Sequence, residues 1–93
     1  MNVSAPQERW HGLPVNDLLQ KLPAPESITE LTGGGLTHQW TRTDTVETLS
    51  YSNYKRSVLA TCIFQVTTAP DNTIKSVIST GHDQVCQYFT DKL

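Results

Sequence analysis

Two cysteines, Cys62 and Cys86, have the clearest capacity for chemistry in this chain. A zinc site needs four ligands, usually with cysteines in close C-x-x-C pairs, and a dithiol redox site needs a similar pair. Neither pair occurs in the sequence. His82 lies shortly before Cys86, but with Cys62 the three residues leave the fourth ligand unfilled. The cysteines therefore form a structural disulfide or remain two buried thiols, and we predict the disulfide.

The predicted Cys62–Cys86 disulfide bears on both stability and compartment. A bridge that closes a loop of this size contributes roughly 3 kcal/mol to the stability of a small domain. Disulfides persist in oxidising compartments, so the pair predicts a periplasmic or secreted protein. If the thiols were free, a cytosolic regulatory protein would be the better interpretation.

The other polar residues do not form a catalytic or metal-binding pattern. His11, His38 and His82 have no H-x-x-x-H or related spacing, and no serine lies in a G-x-S-x-G sequence. The glycines at 33–35 are not followed by Lys-Ser/Thr, as in a phosphate loop, and they separate two strand-like segments. We predict a turn there, and a non-enzymatic protein without cofactor or metal.

The segment 43–57 contains the best candidates for contacts with another protein. Tyr51, Tyr54 and Arg56 are of the types that contribute most to protein interfaces, and they cluster in one polar stretch. The same tyrosines could instead cover the edge of the core. We interpret 43–57 mainly as a loop, the alternative being an extension of the flanking strands into a hairpin arm.

Length and composition limit the chain to one small domain. It has 93 residues, of which 37% are hydrophobic and 17% are charged. The hydrophobic fraction is sufficient for a core, and the charged fraction is too low for a disordered chain. The net charge is -2 and no basic run occurs, so neither nucleic acid nor an anionic membrane is an expected partner. We predict a flexible lead-in over residues 1–9, without the apolar stretch of a signal peptide, and a single domain over residues 10–93.

The stretch 59–68 is the strongest strand candidate. Val58, Ala60, Cys62, Phe64 and Val66 recur at period two and would form one apolar face. The sequence Pro-Asp-Asn at 70–72 then predicts a turn, and the alternating segment 73–80 predicts a second strand of a β-hairpin.

The remaining elements are two helices and a further strand pair. Val15, Leu18, Leu19 and Leu22 lie at helical spacing, which predicts an amphipathic helix that ends at Pro23. Strands are predicted over 27–32 and 36–42, and a short helix over 83–91. The prediction is therefore an α+β fold of two layers. An N-terminal helix packs on an antiparallel sheet of about four strands, and a short C-terminal helix is tied to the sheet by the disulfide.

Two groups of residues also resemble a known pattern. The first group combines tryptophans, glycines, prolines and a leucine pair, and the second combines the cysteines with a strand pair and a glycine. These residues are Trp10, Gly12, Pro14, Leu18, Leu19, Leu22, Pro23, Pro25, Leu31, Gly33, Gly34 and Trp40, then Cys62, Phe64, Ile74, Gly81 and Cys86. Together they resemble small bacterial envelope lipoproteins of the SmpA/OmlA (BamE-like) type. The chain departs from that pattern at Leu22-Pro23, where Leu-Gly is usual, and it contains no lipobox cysteine.

The resemblance implies an α+β scaffold in the periplasm or at the outer membrane that works by protein contact. Its membrane association would depend on a lipid anchor that is not present in this chain. We therefore expect a non-enzymatic cell-envelope protein that binds or scaffolds another envelope protein. The alternative is a secreted or periplasmic inhibitor of an enzyme or toxin, of the lysozyme-inhibitor or immunity type.

Overall fold

The computed structural model describes residues 3–4, 10–49 and 55–93. These residues form an antiparallel sheet and two short helices, so the α+β class predicted from the sequence is confirmed. In chain order the elements are β1 (Val3–Ser4), α1 (Val15–Leu19), β2 (Ser27–Glu30), β3 (Leu36–Leu49), β4 (Lys55–Thr68), β5 (Ile74–Gly81) and α2 (Asp83–Thr90).

The sheet has the strand order β1-β5-β4-β3-β2, and all neighbouring strands are antiparallel. The strand predicted over 59–68 is its centre, because β4 pairs with β3 on one side and with β5 on the other. The two-residue strand β1 lies within the predicted lead-in and pairs with Ser79 and Thr80 of β5. The outer strand β2 pairs with the first part of β3.

The loop predicted over 43–57 is wrong for the residues that the structure describes. Strands β3 and β4 are each 14 residues long and remain in register from Leu36–Thr68 to Leu49–Lys55. The residues from 43 to 49 and from 55 to 57 therefore belong to strands. Their polarity suggested a loop, but Thr43, Thr45, Val46 and Thr48 are β-branched, and β-branched side chains favour a strand.

The two turns at the Leu36–Thr68 end of the central strands follow the predicted residue chemistry. Gly33 and Gly34 both adopt a φ of 99°, which only glycine reaches without strain. At the β4–β5 turn, Asn72 has a φ of 67° and the Asp71 carboxylate accepts hydrogen bonds from the Thr73 hydroxyl and N–H. The hydrogen bond from the Thr73 hydroxyl, and to a smaller extent the one from the Thr73 N–H, lowers the pKa of the Asp71 carboxyl group below its ordinary value.

The apolar core gathers residues from the sheet and from both helical regions. Trp40, Phe64 and Phe89 form its aromatic part, with ring centroids 5.8 Å apart for Trp40 and Phe64 and 5.2 Å apart for Phe64 and Phe89. The Trp40 Nε1–H donates to the Pro23 carbonyl at 2.7 Å, so the indole is buried without leaving its polar atom unpaired. Leu18 is fully buried in the same cluster.

The first helix is shorter than its apolar stripe predicted. It ends at Leu19, and after Gln20, whose N–H still bonds to the Asn16 carbonyl, the N–H groups of Lys21 and Leu22 bond to carbonyls three residues back. The chain therefore continues as tight turns up to Pro23, which still buries Leu22. No side chain caps the start of the helix, where Pro14 instead forms an isolated β-bridge with Thr73.

The disulfide prediction is confirmed. Cys62 of β4 and Cys86 of α2 are bonded, with Cα atoms 5.2 Å apart, and both residues are buried. Helix α2 begins after His82, whose Nδ1 accepts the Gln84 N–H at 3.2 Å and so caps the helix. The bridge thus attaches the C-terminal helix to the central strand of the sheet.

Candidate protein-binding surface

The two faces of the sheet have opposite environments. On one face, β4 places Cys62, Phe64 and Val66 in the core. On the other face, the side chains that alternate with these are all at least partly exposed. We call this second surface the open face. Within the described strands it consists of Ser27, Thr29, Thr37, Gln39, Thr41, Thr43, Thr45, Glu47, Lys55, Ser57, Leu59, Thr61, Ile63, Gln65, Thr67, Ser76, Ile78 and Thr80.

Hydroxyl and amide side chains dominate the open face. Among the described residues, its only charged members are Glu47 and Lys55. Lys75 lies at a bulge in β5 and is not counted with this face. Several polar groups already pair across strands. The Thr37 and Thr67 hydroxyls lie 3.3 Å apart, those of Thr43 and Thr61 lie 3.0 Å apart, and the Gln65 amide donates to the Gln39 amide oxygen at 3.0 Å.

Three large apolar side chains interrupt this polar surface. Leu59 is 76% exposed, and Ile63 and Ile78 are each exposed by more than a third. Ile63 and Ile78 are diagonal neighbours on β4 and β5, because Gln65 is the direct partner of Ile78. The open face therefore combines methyl groups with polar groups that are partly satisfied within the face.

The outer half of the β3–β4 hairpin forms a two-stranded projection. We call this the arm, and it consists of residues 43–49 paired with residues 55–61. Strand β5 ends at Gly81, opposite Cys62, and β2 begins opposite Gln39, so neither outer strand continues along the arm. The principal-axis extents of 54 × 23 × 21 Å describe the resulting elongated shape.

The base of the arm is held near the C-terminal helix. The Arg42 guanidinium lies 3.8 Å from the Tyr88 ring centroid and the Lys92 ammonium lies 4.7 Å from it. Arg42 also forms an ion pair of 3.3 Å with Asp44. Cation–π contacts of this kind contribute about 0.5–1 kcal/mol each when exposed, so they help to orient the arm. The sequence offered no signal for this cluster, because Arg42 and Tyr88 are distant in the chain.

The binding residues predicted from the sequence are only partly within the described structure. Tyr51 and Tyr54 lie outside the described residues. Arg56 is exposed on β4 opposite Thr48, on the face of the arm that carries Val46 and Val58, so it does not belong to the open face. Its proposed role in protein binding stays a prediction.

His38 is the one histidine that the structure buries, at 4% exposure, on the core side of β3. Its ring stacks against Trp40 with centroids 6.4 Å apart. Among the described residues, no partner hydrogen-bonds to its buried Nδ1. A buried polar atom without a partner lowers stability by its desolvation, so His38 represents a site where the core is not optimised.

Replacing His38 by leucine is therefore expected to raise the free energy of unfolding by about 1 kcal/mol, because the unpaired nitrogen is removed and the volume is nearly kept. The measurement is the urea midpoint at pH 7, compared with that of the parent protein. His11→Leu is the matched control, since His11 is exposed and its replacement should change stability little. A large loss of stability in His38→Leu would show that the imidazole makes a needed contact.

The described residues contain neither a cluster of metal-ligand side chains nor a helix of membrane-spanning length. Within the described ranges, no group of three or more His, Cys, Asp or Glu side chains is arranged to hold a metal ion. Of the helices in those ranges, neither has the length and apolarity required to cross a membrane.

Comparison with known proteins gives no assignment for this chain. No protein-family model matches it, and neither curated proteins nor solved structures show a significant similarity.

Proposed function

We propose that this protein is a non-enzymatic, protein-binding module of the bacterial cell envelope, and that the open face is its contact surface. The observation that carries the proposal is the uncovered face of the sheet. In the same proposal the two helical regions form the second layer of a two-layer fold, on the core side, so that binding leaves the core undisturbed.

The chemistry of the open face suits a protein partner. Cross-strand pairing of Thr37 with Thr67, and of Gln39 with Gln65, satisfies polar groups before any partner arrives. Burying such a face costs less than burying unpaired hydroxyls, because fewer hydrogen bonds to water are lost without replacement. Ile63 and Ile78 add apolar surface that a partner could remove from water.

The size of the open face is also suitable. Strands about 4.8 Å apart with a rise of about 3.3 Å per residue give this face roughly 600 Å². A standard protein interface buries about 800 Å² on each partner, so the face and its rim approach that size. The near absence of charge agrees with interface centres, where charged residues are depleted.

The envelope location rests on the disulfide and on the lipoprotein-like residue pattern. A bridge between Cys62 and Cys86 joins the central strand to α2, and a bond of this kind is maintained in an oxidising compartment. Among the oxidising compartments, the resemblance to SmpA/OmlA-type proteins favours a location on the periplasmic side of the outer membrane.

The contact surface can be tested by site-specific photo-crosslinking in the producing bacterium. A photoreactive amino acid at position 63 or 78 should give the same crosslinked product, whereas positions 20 and 87, exposed on the helical side, should not. Arginine at Thr41, beside Ile63, should abolish that product without unfolding the protein. Equal crosslinking from all four positions, or from the helical positions alone, would refute the assignment of the open face.

The compartment can be tested by trapping thiols in intact cells. If the protein is exported, alkylation of acid-quenched cells should leave Cys62 and Cys86 unmodified until a reductant is added. Fractionation should also place the protein with periplasmic or outer-membrane markers. Modified cysteines in unfolded, unreduced protein, together with a cytosolic fraction, would contradict an envelope role.

A further inference from the structure

The two edges of the arm can be distinguished by the direction of their backbone groups. The Gln39 carbonyl accepts the Glu26 N–H at 2.8 Å, so the odd-numbered residues of β3 direct their backbone groups away from β4. On the other strand, the Thr61 carbonyl accepts the His82 N–H at 3.2 Å, so Ser57 and Leu59 direct theirs away from β3.

The β3 edge is partly blocked by acidic side chains, at the N–H groups of Thr41 and Thr45. Glu26 accepts the Thr41 N–H through Oε2 at 2.9 Å, and Asp44 accepts the Thr45 N–H through Oδ1 at 2.8 Å. Arg42 in turn fixes the Asp44 carboxylate. Occupied donors cannot pair with an incoming strand, and side chains of this kind are a common protection of exposed sheet edges.

The β4 edge lacks this protection. In the described parts of the chain, no side chain hydrogen-bonds to the backbone of Ser57 or Leu59, and β5 ends before reaching them. Leu59, the most exposed of the large apolar residues described, lies on this edge at 76% exposure. Over residues 55–59 the edge therefore offers unpaired backbone groups beside an unburied aliphatic side chain.

The charges on this edge discriminate between possible occupants. Lys55 and Arg56 are both exposed. Antiparallel pairing of two copies about Ser57 would bring these four cations into one short ribbon, with repulsion as the result. A segment that carries carboxylates opposite Lys55 and Arg56, and aliphatic residues opposite Val58 and Leu59, would instead match both features.

We propose that residues Lys55–Leu59 of β4 bind an extended, acidic and aliphatic segment of a partner protein by β-strand addition. Main-chain hydrogen bonds to Ser57 and Leu59 would supply affinity, and the neighbouring side chains would supply selectivity. The proposal goes beyond the contact surface proposed above and does not rest on it, because its recognition is through the edge of the sheet and not through its face.

The probe is the capped peptide Thr-Val-Val-Thr-Glu-Glu-Thr, which in antiparallel pairing places Val opposite Leu59 and Val58 and Glu opposite Arg56 and Lys55. The control peptide has Lys in place of both Glu residues. With the oxidised, ¹⁵N-labelled full chain, the acidic peptide should slow amide exchange at Ser57 and Leu59 at least tenfold. The lysine peptide should leave these amides unchanged.

Three variants separate pairing with the edge from general electrostatic attraction. Ser57→Pro removes one outward N–H, which an edge strand tolerates, and should weaken binding of the acidic peptide at least tenfold. Glu47→Pro removes an outward N–H from the opposite edge of the arm and should leave binding unchanged. The double variant Lys55→Glu with Arg56→Glu retains every backbone donor, and it should reverse the preference between the two peptides.

Three results would overturn the proposal. The first is no protection by the acidic peptide at Ser57 and Leu59, and the second is equal protection by both peptides. The third is protection that rises with protein concentration in the absence of peptide, which would identify a second copy as the occupant. Crosslinking from positions 63 and 78 is independent of these results, so failure of the edge proposal and failure of the open-face proposal can be told apart.

Discussion

Loss of the Cys62–Cys86 disulfide is expected to lower the free energy of unfolding by about 3.5 kcal/mol, because the loop it closes contains about 25 residues and the unfolded chain regains that freedom. The bond joins the central strand to α2, the helix that contributes Phe89 to the aromatic core. Stabilities of small domains are typically 5–15 kcal/mol, so about 3.5 kcal/mol is a substantial fraction.

The measurement is urea unfolding of oxidised protein, reduced protein and the double variant Cys62→Ala with Cys86→Ala. Reduced protein keeps both sulfur atoms in the core, so its difference from the oxidised form reports on the bond itself. The double variant should be less stable than the reduced form, because both side chains are buried and alanine leaves unfilled volume. A difference of less than 1 kcal/mol between oxidised and reduced protein would contradict the prediction.

The most predictable parts of the fold are those in which local chemistry and tertiary environment agree. In β4, apolar residues recur at period two because only one face of the strand is buried, so the pattern reports burial directly. The cysteine pair was predictable for a different reason. With only two cysteines and no paired ligand motif, few arrangements remained.

The arm was not predictable because its environment differs from that of the core. Residues 43–48 have little apolar surface to bury, and among these six Val46 is the one with a buried side chain. Their strand conformation depends on pairing with residues 55–61, which is a relation between distant positions. A polar strand and a polar loop have similar composition, so composition alone cannot separate them.

The unequal edges of the arm also escape sequence analysis. Protection of the β3 edge depends on Glu26 reaching Thr41, and those residues meet only after β2 and β3 have paired. The register of the β3–β4 hairpin similarly decides which backbone groups of Ser57 and Leu59 point outward. Residue types can suggest a strand, but register determines which of its groups are available.

Gly81→Ala is expected to lower the free energy of unfolding by about 3 kcal/mol, as the sum of backbone strain and a steric clash. Gly81 adopts a φ of 132°, which side-chain-bearing residues rarely reach. A Cβ there would collide with the Thr61 carbonyl oxygen and lie 3.0 Å from the Cys62 Cα. Both obstacles are backbone atoms, so rotation of a side chain cannot relieve the contact.

Gly12→Ala is the matched control for this substitution. Gly12 also has a positive φ, of 83°, but a Cβ at that position would meet nothing within 4 Å. Its replacement should therefore cost only the conformational strain of about 1–2 kcal/mol. Thermal and urea unfolding of both variants give the comparison, and similar losses for the two would show that the Thr61 contact contributes little.

The clash at Gly81 also has a structural consequence beyond stability. The same Thr61 carbonyl accepts the His82 N–H just before α2, and the next residue, Cys62, carries the disulfide. Displacing that carbonyl should disturb the helix start and the base of the arm together. Amide exchange in Gly81→Ala should therefore accelerate at His82 and in α2, whereas in Gly12→Ala it should not, because Gly12 instead bonds to the Ile74 carbonyl at the start of β5.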